Sequence, residues 1–259
     1  MGEIMPVDIE QLKTIIRNAG ELIKHVRLSP EQIHSKDNRL DFVTKYDVVV
    51  QNFLELHFRA NWPDYPFIGE EQEEHEFGQK GFIVDPIDGT TNFILGIPHY
   101  SISVAVMEEG KIVQGVVYSP ALDEMFWAKS GKGAYLNSER LQNPDLPFAE
   151  TVIGIGSSPY NESLREPTLA MIGEIMKRTD IRCLGSSALD LCYVAAGKQG
   201  GYFEYEINPW DIAAGMLIAR EAGATVTTIE GKEPPLDRTL TILAAGPKIY
   251  AEMREILSF

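Results

Sequence analysis

The segment Asp85-Pro86-Ile87-Asp88-Gly89-Thr90-Thr91-Asn92-Phe93 sets two carboxylates three residues apart, then a glycine and two hydroxyls. It directly follows an apolar run, Gly81-Phe82-Ile83-Val84, which reads as a buried strand that Pro86 must end or bulge. Two acids aimed at one spot repel each other unless a positive charge lies between them. Magnesium, a hard cation that prefers carboxylate and carbonyl oxygens, is a natural neutraliser. Gly89-Thr90-Thr91 offers a tight turn, and a helix starting there presents backbone N–H groups to an anion. A metal cluster beside a phosphate cradle suits phosphate-ester hydrolysis. Asp-Pro and Asp-Gly are also ordinary turn formers, so the nine residues alone fit a turn as well as a metal site.

Two further acids weigh against the turn. Glu70 ends the short apolar run Phe67-Ile68-Gly69, and a strand there beside the Gly81 strand would bring Glu70 and Asp85 to one sheet edge. Five of the seven residues from Glu70 to Glu76 are Glu, and Glu73, Glu74 and Glu76 read as a solvated loop. Asp211 lies in Asn208-Pro209-Trp210-Asp211, where Asn208 suits an N-cap and Pro209 the first helical position. Ile212, Met216 and Ala219 recur at helical spacing up to Gly223, which puts Asp211 in the first turn. Taken alone, Asp211 would serve only the helix dipole.

Gly69-Glu70-Glu71, the Asp85–Phe93 segment and Pro209-Trp210-Asp211, in that order, resemble the signatures of the inositol monophosphatase family. The likeness extends from Val43-Thr44-Lys45-Tyr46-Asp47 to the last helix. It implies a Mg2+-dependent, lithium-sensitive phosphomonoesterase with two or three ions per site. Glu70, Asp85 and the carbonyl of Ile87 would hold one ion, and Asp85, Asp88 and Asp211 a second. A third, weaker ion would lie near Glu70. Asp47 and Thr90 match a hydrogen-bonded pair that orients the attacking water, and with Glu70 they form the implied catalytic group. The N–H groups of Gly89 and Thr90 would hold phosphate. Asp88, Gly185, Ser186, Ser187 and Glu204 resemble substrate contacts. Inositol monophosphate leads the implied substrates, with fructose-1,6-bisphosphate, NADP, histidinol phosphate and 3′-phosphoadenosine nucleotides as alternatives. A non-catalytic regulatory protein on the same fold is the other class, and the complete acid set argues against it. The loop between Glu70 and Asp85 is short, so a flap there would be trimmed. Glu206, two residues past Glu204, adds negative charge that would favour a polyol or a cationic leaving group over a second phosphate.

The elements that must position these residues follow from periodicity. Ile9, Leu12, Ile16, Ala19, Ile23 and Val26 mark one amphipathic helix, and Val49, Phe53, Leu56 and Ala60 another. Strands are expected at 101–107 and 112–119 about a Glu108-Glu109-Gly110-Lys111 turn, then at 124–128 and 133–136. Asn143-Pro144-Asp145-Leu146-Pro147 is the best boundary between an N-terminal half, 1–143, and a C-terminal half, 144–259. Beyond it come a strand at 152–155, helices at 164–177 and 187–196, strands at 202–204, 225–228 and 241–245, and a last helix. Ser187 with Asp190 reads as a capping box, compatible with substrate contact. The alternation predicts sheets covered by helices. The resemblance specifies an α/β fold, a five-layer αβαβα sandwich of the inositol monophosphatase/fructose-1,6-bisphosphatase type, and a homodimer.

Composition narrows the partners. A net charge of −15 across 259 residues argues against nucleic acid and anionic membranes. Cys183 and Cys192 fit no zinc or redox spacing and read as buried thiols, one in a strand and one in a helix. The five histidines form no cluster. With neither a secretory h-region nor a membrane span, the expected location is the cytoplasm.

Overall fold

In a computed structural model of the chain, residues 6–28, 33–35, 42–157 and 161–257 are described. Helix α1 (Ile9–Glu21) starts at Asp8, whose side chain accepts from the Glu10 N–H, and buries Leu12, Ile15, Ile16 and Ala19. Strands β1 (Ile33–Ser35) and β2 (Phe42–Thr44) pair antiparallel, and β2 runs into α2 (Lys45–Asn61). Thr44 and Asp47 form a reciprocal capping box at that junction.

The first sheet contains β3 (Phe67–Gly69), β4 (Gly81–Asp88), β5 (Ser101–Glu108), β6 (Lys111–Ser119), β7 (Glu124–Lys129), β8 (Ala134–Leu136) and β9 (Glu139–Arg140), hydrogen-bonded in that order. Only β3 and β4 run parallel within it. The short helix α3 (Thr90–Leu95) joins β4 to β5. Glu109 and Gly110 take φ of 51° and 71°, the left-handed pair that a two-residue hairpin turn requires. The second sheet has the order β11 (Asp180–Arg182), β10 (Val152–Ile155), β12 (Gly201–Ile207), β14 (Leu240–Ala245), β13 (Thr225–Thr227).

Three apolar clusters show the layering. One joins α1 and α2 to a face of the first sheet through Leu12, Ile16, Leu54, Phe58, Phe82 and Val104. The second fills the space between the sheets around α5 (Ser187–Ala195) and α6 (Pro209–Glu221). The third packs α4 (Arg165–Met176) and α7 (Pro247–Leu257) on the outer face of the second sheet. The result is the expected five-layer αβαβα sandwich. Helix α6 is its central rod, buried without interruption from Ile212 to Ala219, as a helix apolar all round must be. A Cβ on Gly115 of β6 would lie 2.7 Å from the Ala214 carbonyl oxygen, so glycine is what lets sheet and rod approach.

Three expectations need correction. Helix α2 exists, but it buries Val50, Leu54 and Phe58, while Val49 and Leu56 are 44% and 69% exposed. Asp47 and Gln51 complete the buried face, so two polar residues serving the site hid the stripe from an apolar pattern. Cys183 is exposed just beyond the end of β11, where the chain turns into a cavity wall; Cys192 is buried in α5 as expected. Ser187 and Asp190 make no capping box: Ser187 is already the first helical residue, and Asp190 accepts from Gln199 Nε2 at 2.7 Å.

Candidate active site

Parallel pairing of β3 with β4 sets Gly69 opposite Val84, so Glu70 and Asp85 follow as neighbours at the strand ends. The Glu70 N–H donates to the Val84 carbonyl at 3.0 Å. Residues three apart in a regular strand point to opposite faces. Here Asp85 pairs with Ser103 and Asp88 with Ser101, so three steps on β4 oppose two on β5. The extra residue, beside Pro86, is a bulge that reverses parity and turns both acids to one side. Asp85 Oδ1 accepts from the Ile87 N–H at 2.9 Å, which fixes the bulge from within.

Asp88 reaches into the second half of the chain. Its carboxylate accepts from the N–H groups of Ser187 (3.2 Å) and Ala188 (3.0 Å), from Ser101 Oγ (3.2 Å) and from Ser186 Oγ. It therefore caps α5 from another layer, the task the sequence assigned to Ser187 and Asp190. Gly89 has a φ of 87°, and a Cβ there would lie 2.9 Å from the Gly185 carbonyl oxygen, so the two chain segments meet at glycine. Thr90 Oγ1 lies 3.0 Å from the Ile87 carbonyl and 3.3 Å from Asp47 Oδ1, within donating distance of either. Asn92 donates to the carbonyls of His99, at 2.7 Å, and Leu184, also at 2.7 Å.

Asp211 arrives from α6. Asn208 and Asp211 form a capping box, with the Asn208 N–H donating to Asp211 Oδ2 at 3.0 Å. Ser103 Oγ donates to the Trp210 carbonyl at 3.2 Å, which docks this helix start onto β5 beside the bulge. Carboxylate oxygens of Asp85, Asp88 and Asp211 consequently lie within 4.8 Å of one another.

The electrostatics follow from that crowding. Burial, then the charges of Glu70, Asp88 and Asp211, holds Asp85 well above the ordinary carboxylate range. Burial, then Glu70 and Asp88, raises Asp211 likewise. Burial lifts Asp88 to about 6 against the pull of its four hydrogen-bond donors. Asp47, buried and bonded to the Thr44 hydroxyl and N–H, is pushed by burial up to about 7. Glu70, Asp85, Asp88 and Asp211 line one cavity of about 970 Å³ with Asp190, Glu204 and Glu206, and no Lys, Arg or His is among its described lining residues. The converging carboxylate oxygens of Asp85, Asp88 and Asp211 fit a hard divalent ion.

Ile87, Gly89, Thr90, Gly185, Ser186, Ser187 and Glu204 line the same cavity, while Asp47 stands behind Thr90. Ser186 is buried and gives its hydroxyl to Asp88. Ser187 Oγ donates to Glu204 Oε2 at 3.1 Å, and the Tyr202 hydroxyl lies 2.6 Å from the same oxygen. Sequence reading missed Tyr202, although it shares a strand face with Glu204 two residues on. Asn92 was quoted only as part of a motif, and Asp190 was read only as a cap.

The sequence profile described as the Inositol monophosphatase family matches residues 6–258. An inositol-1-monophosphatase of Rhizobium meliloti (strain 1021) is 39% identical over 249 residues, covering 95% of this chain and 91% of the relative. A protein of Pasteurella multocida (strain Pm70) named Nus factor SuhB is 39% identical over 217 residues, 82% of this chain and 81% of its own. The solved structure of a Thermotoga maritima IMPase superposes with a TM-score of 0.86 at 34% identity, over 96% of this chain and 97% of the other.

Proposed function

The chain belongs to the inositol monophosphatase family, and we propose that it hydrolyses a phosphate monoester with Mg2+, with inositol monophosphate as the leading substrate. The observation that carries this reading is the convergence of Asp85, Asp88 and Asp211 within 4.8 Å, with Glu70 beside Asp85. Glu70, Asp85, Asp88, Asp211 and the Ile87 carbonyl would hold two or three ions. Bound Mg2+ would neutralise the phosphate and lower the pKa of a water beside it.

The chain's own residues supply the remainder. Thr90 and Asp47 hold the attacking water on one side, with Glu70 next to it to take up its proton. The N–H groups of Gly89 and Thr90 orient the phosphate on the helix start. Ser187 and Glu204 receive the hydroxyls of the alcohol on the opposite side, with Tyr202 bonded to the same Glu204 oxygen. Water and alcohol thus flank the phosphorus, which suits direct in-line displacement by positioning and charge.

Glu204 and Glu206 both line the cavity. Their charge supports a polyol leaving group over one bearing a second phosphate. A regulatory protein without turnover is the second reading, supported by the SuhB name of a relative. The intact acid set favours the phosphatase.

The test is phosphate release from myo-inositol 1-phosphate, fructose-1,6-bisphosphate, NADP, histidinol phosphate and 3′-phosphoadenosine 5′-phosphate, with and without Mg2+. We expect Mg2+-dependent turnover, greatest on the inositol ester and lowered by millimolar LiCl. No release from any ester would support the regulatory reading.

A further inference from the structure

The loop from Glu70 to Lys80 turns most of its acids to solvent: Glu73, Glu74 and Glu76 are exposed. His75, set among them, turns inward and is half-buried. Its Nε2 lies 3.0 Å from the Gly69 carbonyl oxygen. A carbonyl can only accept, so Nε2 carries the proton and donates. That carbonyl belongs to the peptide unit leading into Glu70, whose N–H donates to Val84 at 3.0 Å. The other ring contact is with Trp210: the imidazole stacks on the indole with centroids 4.6 Å apart and planes inclined by 29°. Phe77 lies near the same ring, with centroids 6.3 Å apart and planes at 29°.

The Gly69 and Trp210 contacts each lie one residue from an acid of the cluster, Glu70 in one case and Asp211 in the other. The separation of Asp85 from Asp88 is fixed within one strand by the bulge. Glu70 directly follows an edge strand of the first sheet, whereas Asp211 lies in the first turn of the central helix, and no shared ladder or helical register sets their spacing. His75 joins the two through one hydrogen bond and one ring stack.

We propose that His75 is a positioning residue that sets the spacing between Glu70 and Asp211, and through it the affinity of the cluster for a divalent cation. The proposal rests on the metal-binding reading of this site. Residues that hold metal ligands in place typically change affinity by about 10–100-fold when removed.

The test is calorimetric titration of chelator-treated, full-length protein with MgCl2, for wild type, His75→Ala, His75→Gln and His75→Phe. Gln keeps an N–H donor without the ring, and Phe keeps the ring without the donor. His75→Ala is expected to weaken Mg2+ binding by about tenfold or more, with Gln and Phe in between. In parallel, the Mg2+ concentration giving half-maximal phosphate release should rise by the same factor, with turnover regained at high Mg2+. A purely structural role would lower the folded fraction without moving that midpoint in the folded protein. Should His75→Ala fail to fold, His75→Gln decides, with several-fold weaker binding expected. Wild-type affinity in a folded Ala or Gln variant overturns the proposal while leaving the metal site intact. Absence of Mg2+ binding by wild type would instead remove the site reading, and the proposal with it.

Discussion

Asp47 and Asp88 carry the clearest pH signature among the acids of the site. Burial raises them from 3.8 to about 7 and about 6 respectively. In the metal-free protein they keep their protons when folded and lose them when unfolded, over the range from about pH 4 to 7. Their contribution to stability is therefore complete below the unfolded pKa and is lost as pH rises through 6 and 7. Mg2+ competes with these protons and binds better as pH rises. We expect the gain in melting temperature on adding Mg2+, relative to EDTA, to be larger at pH 7.5 than at pH 5. An equal or larger gain at pH 5 would refute this. At this scale much was legible: Glu70, Asp85 and Asp88 follow from strand ends and a bulge-forming proline, whereas Asp211 joined them only through the family resemblance. Tyr202 was not, because a phenol shows no sign of its partner until Glu204 is placed two residues along the same strand face.

Helix α5 depends on an acid outside itself. Asp88 accepts two of its first N–H groups together with the hydroxyls of Ser101 and Ser186, so one side chain joins β4, β5 and α5. Asp88→Ala would leave four donors without this acceptor, and a single unsatisfied buried group costs about 1–3 kcal/mol. The loss of stability should reach at least about 2 kcal/mol by urea denaturation of metal-free protein. Asp88→Asn, which keeps one acceptor oxygen, should lose less while still losing turnover by orders of magnitude. Equal stability of Asp88→Ala and wild type would show that the cap is dispensable. The Ser187–Asp190 pattern was misleading here because a cap supplied from 99 residues away leaves no local signal. The face of α2 was obscured for a related reason: Asp47 and Gln51 are buried to serve neighbours, and apolar periodicity counts them as solvent-facing. Helix α6 was readable because its capping signal at Asn208 is local.

At the scale of the whole molecule, the candidate site is a seam. Glu70, Asp85 and Asp88 come from the first sheet, Asp211 from the central helix and Glu204 from the second sheet. Asn92, Asp88 and Ser103 bond across that seam. The layering was legible from the alternation of elements, whereas their mutual docking was not, since it turns on close approaches at Gly89 and Gly115. No described helix is long and apolar enough to cross a membrane. Leu95 and Ile97, at the end of α3, are 67% and 44% exposed. The family resemblance implies a homodimer, and placing charge on this exposed apolar pair tests that expectation. Sedimentation at micromolar concentration should give a dimer, and the double change Leu95→Lys with Ile97→Lys should shift it towards monomer. A wild-type monomer would contradict the expectation.

The account stands on acids that converge because a divalent cation belongs among them. Its most direct measurement is phosphate release from myo-inositol 1-phosphate by wild type and Asp211→Asn, in EDTA and in saturating MgCl2. Expected are turnover by wild type in Mg2+ alone and a fall of at least about 100-fold in the variant, equivalent to about 2.7 kcal/mol. An undiminished rate in EDTA, or an Asp211→Asn variant as fast as wild type, would contradict it.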